Sequence, residues 1–170
     1  MTAKRVLVTG ATGYVGRALV PALREAGHVT TALRCRLGDT RGLRKECQDV
    51  EVVIHGAAEL TNRAQMHETN VVGTRSLMRI ALETGIRNVI YLSTASTRET
   101  HYVRTKRHGE QIVKAFGYAL RVQIIRIPTL YGGRRGQKWM QAVKLWLQGR
   151  PMNLQHRDEA VREIVQMVGA

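Results

Sequence analysis

The stretch RVLVTGATGYVG, Arg5 to Gly16, restricts the fold of this chain more than any other. Arg5 to Gly10 is a short apolar run that breaks on a glycine, the pattern of a strand buried on both faces. Helical periodicity then takes over. From Tyr14 to Ala26 the residues Val15, Leu19, Leu23 and Ala26 fall on one face, and Gly27 stops the helix. Between the two lie glycines at positions 10, 13 and 16. Gly10 allows the tight turn off the strand, Gly13 lets backbone N–H groups approach a pyrophosphate, and Gly16 lets the helix pack closely on the strand. The helix N-terminus adds its partial positive charge at the same spot. Such a triplet is weak on its own, but here it stands in the strand–turn–helix context that a phosphate cradle needs.

The alternation continues along the chain. Strands are expected at Val29–Arg34, Glu51–His55, Asn88–Ser93 and Arg121–Arg126. Helices are expected at Thr40–Cys47, Gln65–Thr84, Tyr102–Phe116, Gln137–Leu147 and Asp158–Val168. Strands that alternate with helices over short links make a parallel sheet covered on both faces. The expected class is α/β: a Rossmann-like, doubly wound, three-layer αβα sandwich, with residues 1–170 as a single NAD(P)-binding domain. No internal repeat, linker or low-complexity segment interrupts it.

Composition narrows the function classes. With 44% hydrophobic residues the chain is globular in character, and no apolar run approaches a membrane span. The basic N-terminus leads into glycines too soon for a signal peptide, so the expected location is cytoplasmic, away from membranes. Cys35 and Cys47 lack CxxC spacing and His-rich company; free thiols and no metal site are expected. The net charge of +14 can favour polyanions. Along the sequence, however, the bases are scattered, and only 5% of residues are aromatic. A solvated Arg-rich surface is therefore preferred to a nucleic-acid face, which stays open as an alternative. The second strand ends Leu33-Arg34-Cys35-Arg36 with no acid. An acid there suits the ribose hydroxyls of NAD and a base suits the 2′-phosphate of NADP. Arg34 thus favours NADP(H) over NAD(H).

Several motifs follow one another in a set order: TGATGYVG, HGAA (His55 to Ala58), NVVGT (Asn70 to Thr74), LSTAS (Leu92 to Ser96), YVRTK (Tyr102 to Lys106) and RIPTLYGG (Arg126 to Gly133). Over about four-fifths of its length the chain resembles the short-chain dehydrogenase/reductase superfamily, in particular its extended and atypical epimerase/dehydratase-like members. QHRDEAV, Gln155 to Val161, resembles a later segment of the same family. The resemblance implies a pyrophosphate held at Gly10, Gly13 and Gly16, with contacts from Thr12, Tyr14 and Val15. It implies Asp39 near adenine, Ala57 and Ala58 along the cofactor ribose, Asn70 as a central support, Ser93 beside the cofactor, and Pro128 near nicotinamide. It implies Thr94, Tyr102 and Lys106 as the catalytic trio, Tyr102 and Lys106 also touching the cofactor.

The chemistry of that trio follows from residue types. Hydride transfer to a carbonyl leaves an oxygen that needs a proton. Tyrosine can donate one, and a lysine cation one helical turn away would lower its pKa. A threonine hydroxyl could hold the substrate oxygen. Against extended members the chain is abbreviated in three places. A second crossover helix and third strand are missing after Val29–Arg34, which leaves five strands in the order 2-1-3-4-5, one βα unit having been lost. Thr94 and Tyr102 are close in sequence, and the large C-terminal substrate part is nearly gone. The leading expectation is an NADP(H)-dependent oxidoreductase acting on a small carbonyl or alcohol. The alternatives are a non-catalytic dinucleotide-binding or assembly protein and a nucleic-acid-associated basic Rossmann protein. Relatives pair through two long helices, here 65–84 and 102–116, which implies a homodimer with Met66, Met78, Ile80 and Ile112 as candidate apolar contacts. Arg104 and Arg107 are read as solvated charges.

Overall fold

In the first strand, β1 (Arg5–Thr9), Leu7 points to one face of a sheet while Val6 and Val8 point to the other, and all three are buried. Such a strand has to be internal. The computed structural model, which describes residues 2–132 and 154–169, places β1 between β2 (Val29–Ala32) and β3 (Val52–His55). β4 (Asn88–Thr94) and β5 (Arg121–Ile127) complete a parallel sheet of order β2-β1-β3-β4-β5. This is the order expected after the loss of one βα unit. Leu33 N donates to Val8 O, and the chain then reaches α2 (Thr40–Glu46) with no strand outside β2 among the described residues.

Two cores result from the alternation along the strands. Leu7, Val53, Val89 and Tyr91 face a layer made of α2, α4 (Gly73–Glu83) and α5 (His101–Ala115). Val6, Val8, Ile54 and Ile90 face α1 (Gly16–Glu25) and α6 (Arg157–Gly169), where Leu19, Leu23, Val161 and Ile164 meet them. Burying each of these large side chains contributes about 1.5–3 kcal/mol. The helix starts are capped where the sequence supplies short polar side chains. Asp39 accepts from Gly42 N at 2.9 Å, Asn62 from Ala64 N at 3.1 Å, and Thr100 from Val103 N at 3.2 Å.

The structure differs from the sequence expectation in several places. The helix expected at Gln65–Thr84 starts earlier and is not uniform: α3 (Arg63–His67) runs into a π-helical turn, Glu68–Val72, and then into α4. Two three-residue strands, β6 (Thr129–Tyr131) and β7 (Leu154–His156), form a separate parallel pair. They are too short to show a period of two. The expected helix at Gln137–Leu147 lies outside the described residues. Met66, Met78, Ile80 and Ile112 are all buried within the chain, so they pack toward its own interior and offer no apolar surface to a second copy.

Candidate functional site

In a parallel sheet all strands end at one edge, and ligands bind in the crevice outside that edge. Here the edge gathers Gly10 after β1, Arg34 after β2, Ala57 and Ala58 after β3, Thr94 at the end of β4 and Pro128 after β5. The glycine turn is closed by Gly13 N donating to Gly10 O at 2.9 Å. Gly10 has φ +73°, and a Cβ there would come within 2.6–2.7 Å of the backbone of Gly56 and Ala57. Both constraints demand glycine. Thr12 and Gly13 are exposed at the turn, Val15 is half-buried, and Gly16 begins α1. The Tyr14 hydroxyl donates to Gly132 O, and the Arg157 guanidinium stands 5.5 Å from the Tyr14 ring. The β6–β7 pair thus brings the start of α6 back to the glycine turn.

Beneath the turn runs a buried chain of hydrogen bonds. Thr74 Oγ1 donates to Asn70 O at 2.8 Å, so its lone pairs must take a proton from His55 Nε2 at 2.9 Å. His55 Nδ1 is then an acceptor, served by Thr9 Oγ1 at 2.7 Å, and Thr9 Oγ1 accepts from Ala57 N at 3.1 Å. Every member fits a neutral imidazole. Burial, with the Lys106 charge as a lesser cause, pushes the His55 pKa down to about 3. Asn70, in the π-helical turn, accepts from Glu59 N at 2.8 Å and donates to Glu59 O and Thr105 Oγ1, each at 3.0 Å. It ties the HGAA loop to α5 one residue before Lys106. A π turn often marks a functional position.

α5 carries Tyr102, Lys106 and Glu110 at intervals of four, one above another on one face. Lys106 is 2% exposed; its Nζ lies 4.0 Å from the centroid of the Tyr91 ring and has no hydrogen-bond partner among the described residues. Burial pushes its pKa down to about 7, against the opposing pull of Glu110. Tyr102 is half-buried, and burial raises its pKa. This corrects the expectation that the lysine cation would lower it: desolvation is the controlling effect here, and the phenol stays protonated at neutral pH.

Glu110 is the site residue that sequence reasoning missed. It accepts from Ser93 Oγ at 2.6 Å, from Arg126 Nη2 at 2.6 Å and Nε at 3.0 Å, and from Arg107 Nη1 at 3.2 Å. Those donors, Arg126 first, hold its carboxyl at about 2. Ser93 is thereby turned inward, whereas Thr94 is half-buried and its hydroxyl accepts from Ser96 N. Arg107 is not a free solvated charge, since it also reaches Ser96 O. The four-residue step from Lys106 to Glu110 was the available signal.

At the β2 end Arg34 and Arg36 are exposed. The Glu46 carboxylate accepts from the backbone N of Arg34 at 2.9 Å and of Cys35 at 3.1 Å, and among the described residues the Arg34 guanidinium makes no hydrogen bond or ion pair. Asp39 spends a carboxylate oxygen on capping α2. Among the described residues no cluster of metal-ligating side chains occurs and no helix is long and apolar enough to cross a membrane. Cys35 and Cys47 are free thiols.

Comparison with known proteins adds to this geometry. The family model described as NAD dependent epimerase/dehydratase matches residues 6–166. Sterol demethylase protein B of Methylococcus capsulatus is 34% identical over 110 residues, covering 52% of this chain and 34% of that protein. Ceramide reductase of Caulobacter vibrioides is 30% identical over 149 residues, covering 75% of this chain and 46% of that protein. The chain therefore spans less than half the length of these relatives. Among solved structures, MoeE5 in complex with UDP-glucuronic acid and NAD superposes with a TM-score of 0.84 at 23% identity, covering 98% of this chain and 72% of that one.

Proposed function

We propose, from the premise that this chain belongs to the NAD dependent epimerase/dehydratase family, that it binds NADP(H) and reduces a small carbonyl compound. The observation that carries this reading is the pairing on α5 of a protonated, half-buried Tyr102 with a buried Lys106 whose Nζ has no partner among the described residues, at the sheet edge that also holds the glycine turn. Gly10 and Gly13 cradle the pyrophosphate. Lys106 Nζ bonds a ribose hydroxyl, and Ala57, Ala58 and Pro128 line the rest of the trough. The exposed Arg34 guanidinium takes the 2′-phosphate. The reduced nicotinamide, when bound, supplies the hydride to the carbonyl carbon. Thr94 Oγ1 donates a hydrogen bond that orients the carbonyl oxygen, and Tyr102 gives that oxygen its proton. A tyrosine held protonated suits reduction better than oxidation. The cytoplasm is the compartment we assign, on the two free thiols.

The test is titration with NADPH and NADH followed by a carbonyl panel that includes long-chain ketones. Tighter binding of NADPH, and turnover that falls by about 100-fold or more in Tyr102→Phe with cofactor affinity kept, are expected. Cofactor binding by the wild type without any turnover would replace this reading with a non-catalytic dinucleotide-binding protein.

A further inference from the structure

We propose that the outer face of the α2–α4–α5 layer docks the phosphate backbone of a nucleic-acid duplex without reading its sequence. The bases that looked scattered in sequence are sorted by the fold. Among the described residues, the exposed charges on α1 and α6 cancel: Arg17, Arg24 and Arg162 stand with Glu25, Glu159 and Glu163. On the opposite layer they do not. α2 exposes Arg41, Arg44 and Lys45, while α4 and α5 expose Arg75, Arg79, Arg104 and Lys114. The exposed acids across the layer's helices are Glu68 and Glu83, and Glu83 is already paired with Arg44.

The dimensions suit the occupant. Helices pack about 8–10 Å apart, so three of them side by side present a face roughly 20 Å wide, and a 15-residue helix such as α5 is about 22 Å long. That is the scale of one duplex lying across the layer. Most of the bases are arginines, whose planar guanidinium matches phosphate better than an ammonium does. Beside α5 lies a depression of about 420 Å³ whose lining sets Arg104, Arg107 and His108 beside one acid, Glu99. Two other occupants fit poorly. The large apolar residues exposed across the layer's helices are Val72 and Leu82, too little to insert into a bilayer or build an apolar seam. A second copy joined about a twofold axis would set these like charges against each other.

The experiment is fluorescence anisotropy of the full chain with 20-base-pair RNA and DNA duplexes, run beside sedimentation of phosphatidylserine vesicles. If about five phosphates are contacted, affinity should fall on the order of 100-fold between 50 and 150 mM salt. Arg75→Glu/Arg79→Glu/Arg104→Glu should lose at least about 10-fold in affinity and flatten the salt dependence. Arg24→Glu/Arg121→Glu/Arg162→Glu, which makes the same change in net charge elsewhere, should stay within about threefold. Thermal melting checks both sets, and single reversals at Arg79 and Arg162 serve if either set fails to fold. No binding at 50 mM salt, equal losses in the two sets, tighter binding to vesicles than to duplexes, or a homodimer that the face variants dissociate would each overturn the proposal.

Discussion

Lys106 is the residue whose protonation differs most usefully between the folded and unfolded chain. Burial lowers its pKa from 10.5 to about 7. Between those values the unfolded chain holds a proton that the folded one has released, so stability rises with pH across this window. Below about pH 7 the fold must accommodate a buried ammonium, compensated by the Glu110 carboxylate one turn on and by the face of the Tyr91 ring. Lys106→Met is therefore expected to stabilise the cofactor-free protein at pH 6 by on the order of 2–4 kcal/mol, with the gain shrinking as pH approaches 10. Thermal melts at several pH values would show it; parallel curves for the two proteins would count against a depressed lysine. In the cofactor complex we propose, a ribose hydroxyl would give that nitrogen a polar partner and offset part of this cost. The YxxxK spacing made the pair visible in the sequence. It could not show that burial outweighs the lysine charge at Tyr102, because burial depends on residues such as Tyr91 that arrive from another element.

At the scale of elements, the trio is held by what surrounds α5. Glu110 joins α5 to the ends of β4 and β5 through Ser93 and Arg126, and Asn70 joins it to the HGAA loop through Thr105. A third constraint is contact. Tyr91 donates its hydroxyl to Lys106 O at 3.3 Å, and a Cβ on Gly109 would collide with that same hydroxyl. Gly109→Ala should therefore destabilise the protein by about 1–3 kcal/mol, and Tyr91→Phe, which removes the obstructing oxygen, should recover part of that loss. Urea unfolding of the two single variants and the double variant measures the coupling; strictly additive effects would mean that the glycine answers to something other than Tyr91. The strand–helix alternation, the glycine turn and the order of the sheet could all be read from the chain because each depends on neighbours in sequence. The clamp could not. Ser93, Glu110 and Arg126 are separated by 17 and 16 residues, and only the register of β4 on β5, with Ser93 opposite Arg126, brings them together.

For the whole molecule, the two faces of the sheet depend on helices of very different origin. α2, α4 and α5 follow their strands closely, whereas the other face needs α6, which enters from beyond β7 to pack on α1. Ile164 is fully buried in that contact. Ile164→Ala should cost about 2–5 kcal/mol, as much as a truncation at the centre of the other core, despite its place in the last helix. A loss below about 1 kcal/mol, measured by denaturant midpoint, would mean that α6 is not part of the cooperative unit. The charge asymmetry also belongs to this scale. It was hidden in the sequence because bases of the two layers are interleaved there, and only the alternation of helices above and below the sheet separates them.

The pairing of α1 with α6 has a consequence for how the chain comes to be folded. α1 leaves the ribosome early, and its partner follows roughly 140 residues later, an interval of about 10–30 s at ordinary rates of synthesis. For that time Val6 and Val8 on the sheet and Leu19 and Leu23 on α1 lack the helix that completes their layer, while the opposite side closes as each crossover helix emerges. The half-built protein is thus a hydrophobic surface waiting for its lid, the kind of intermediate that aggregates unless something shields it.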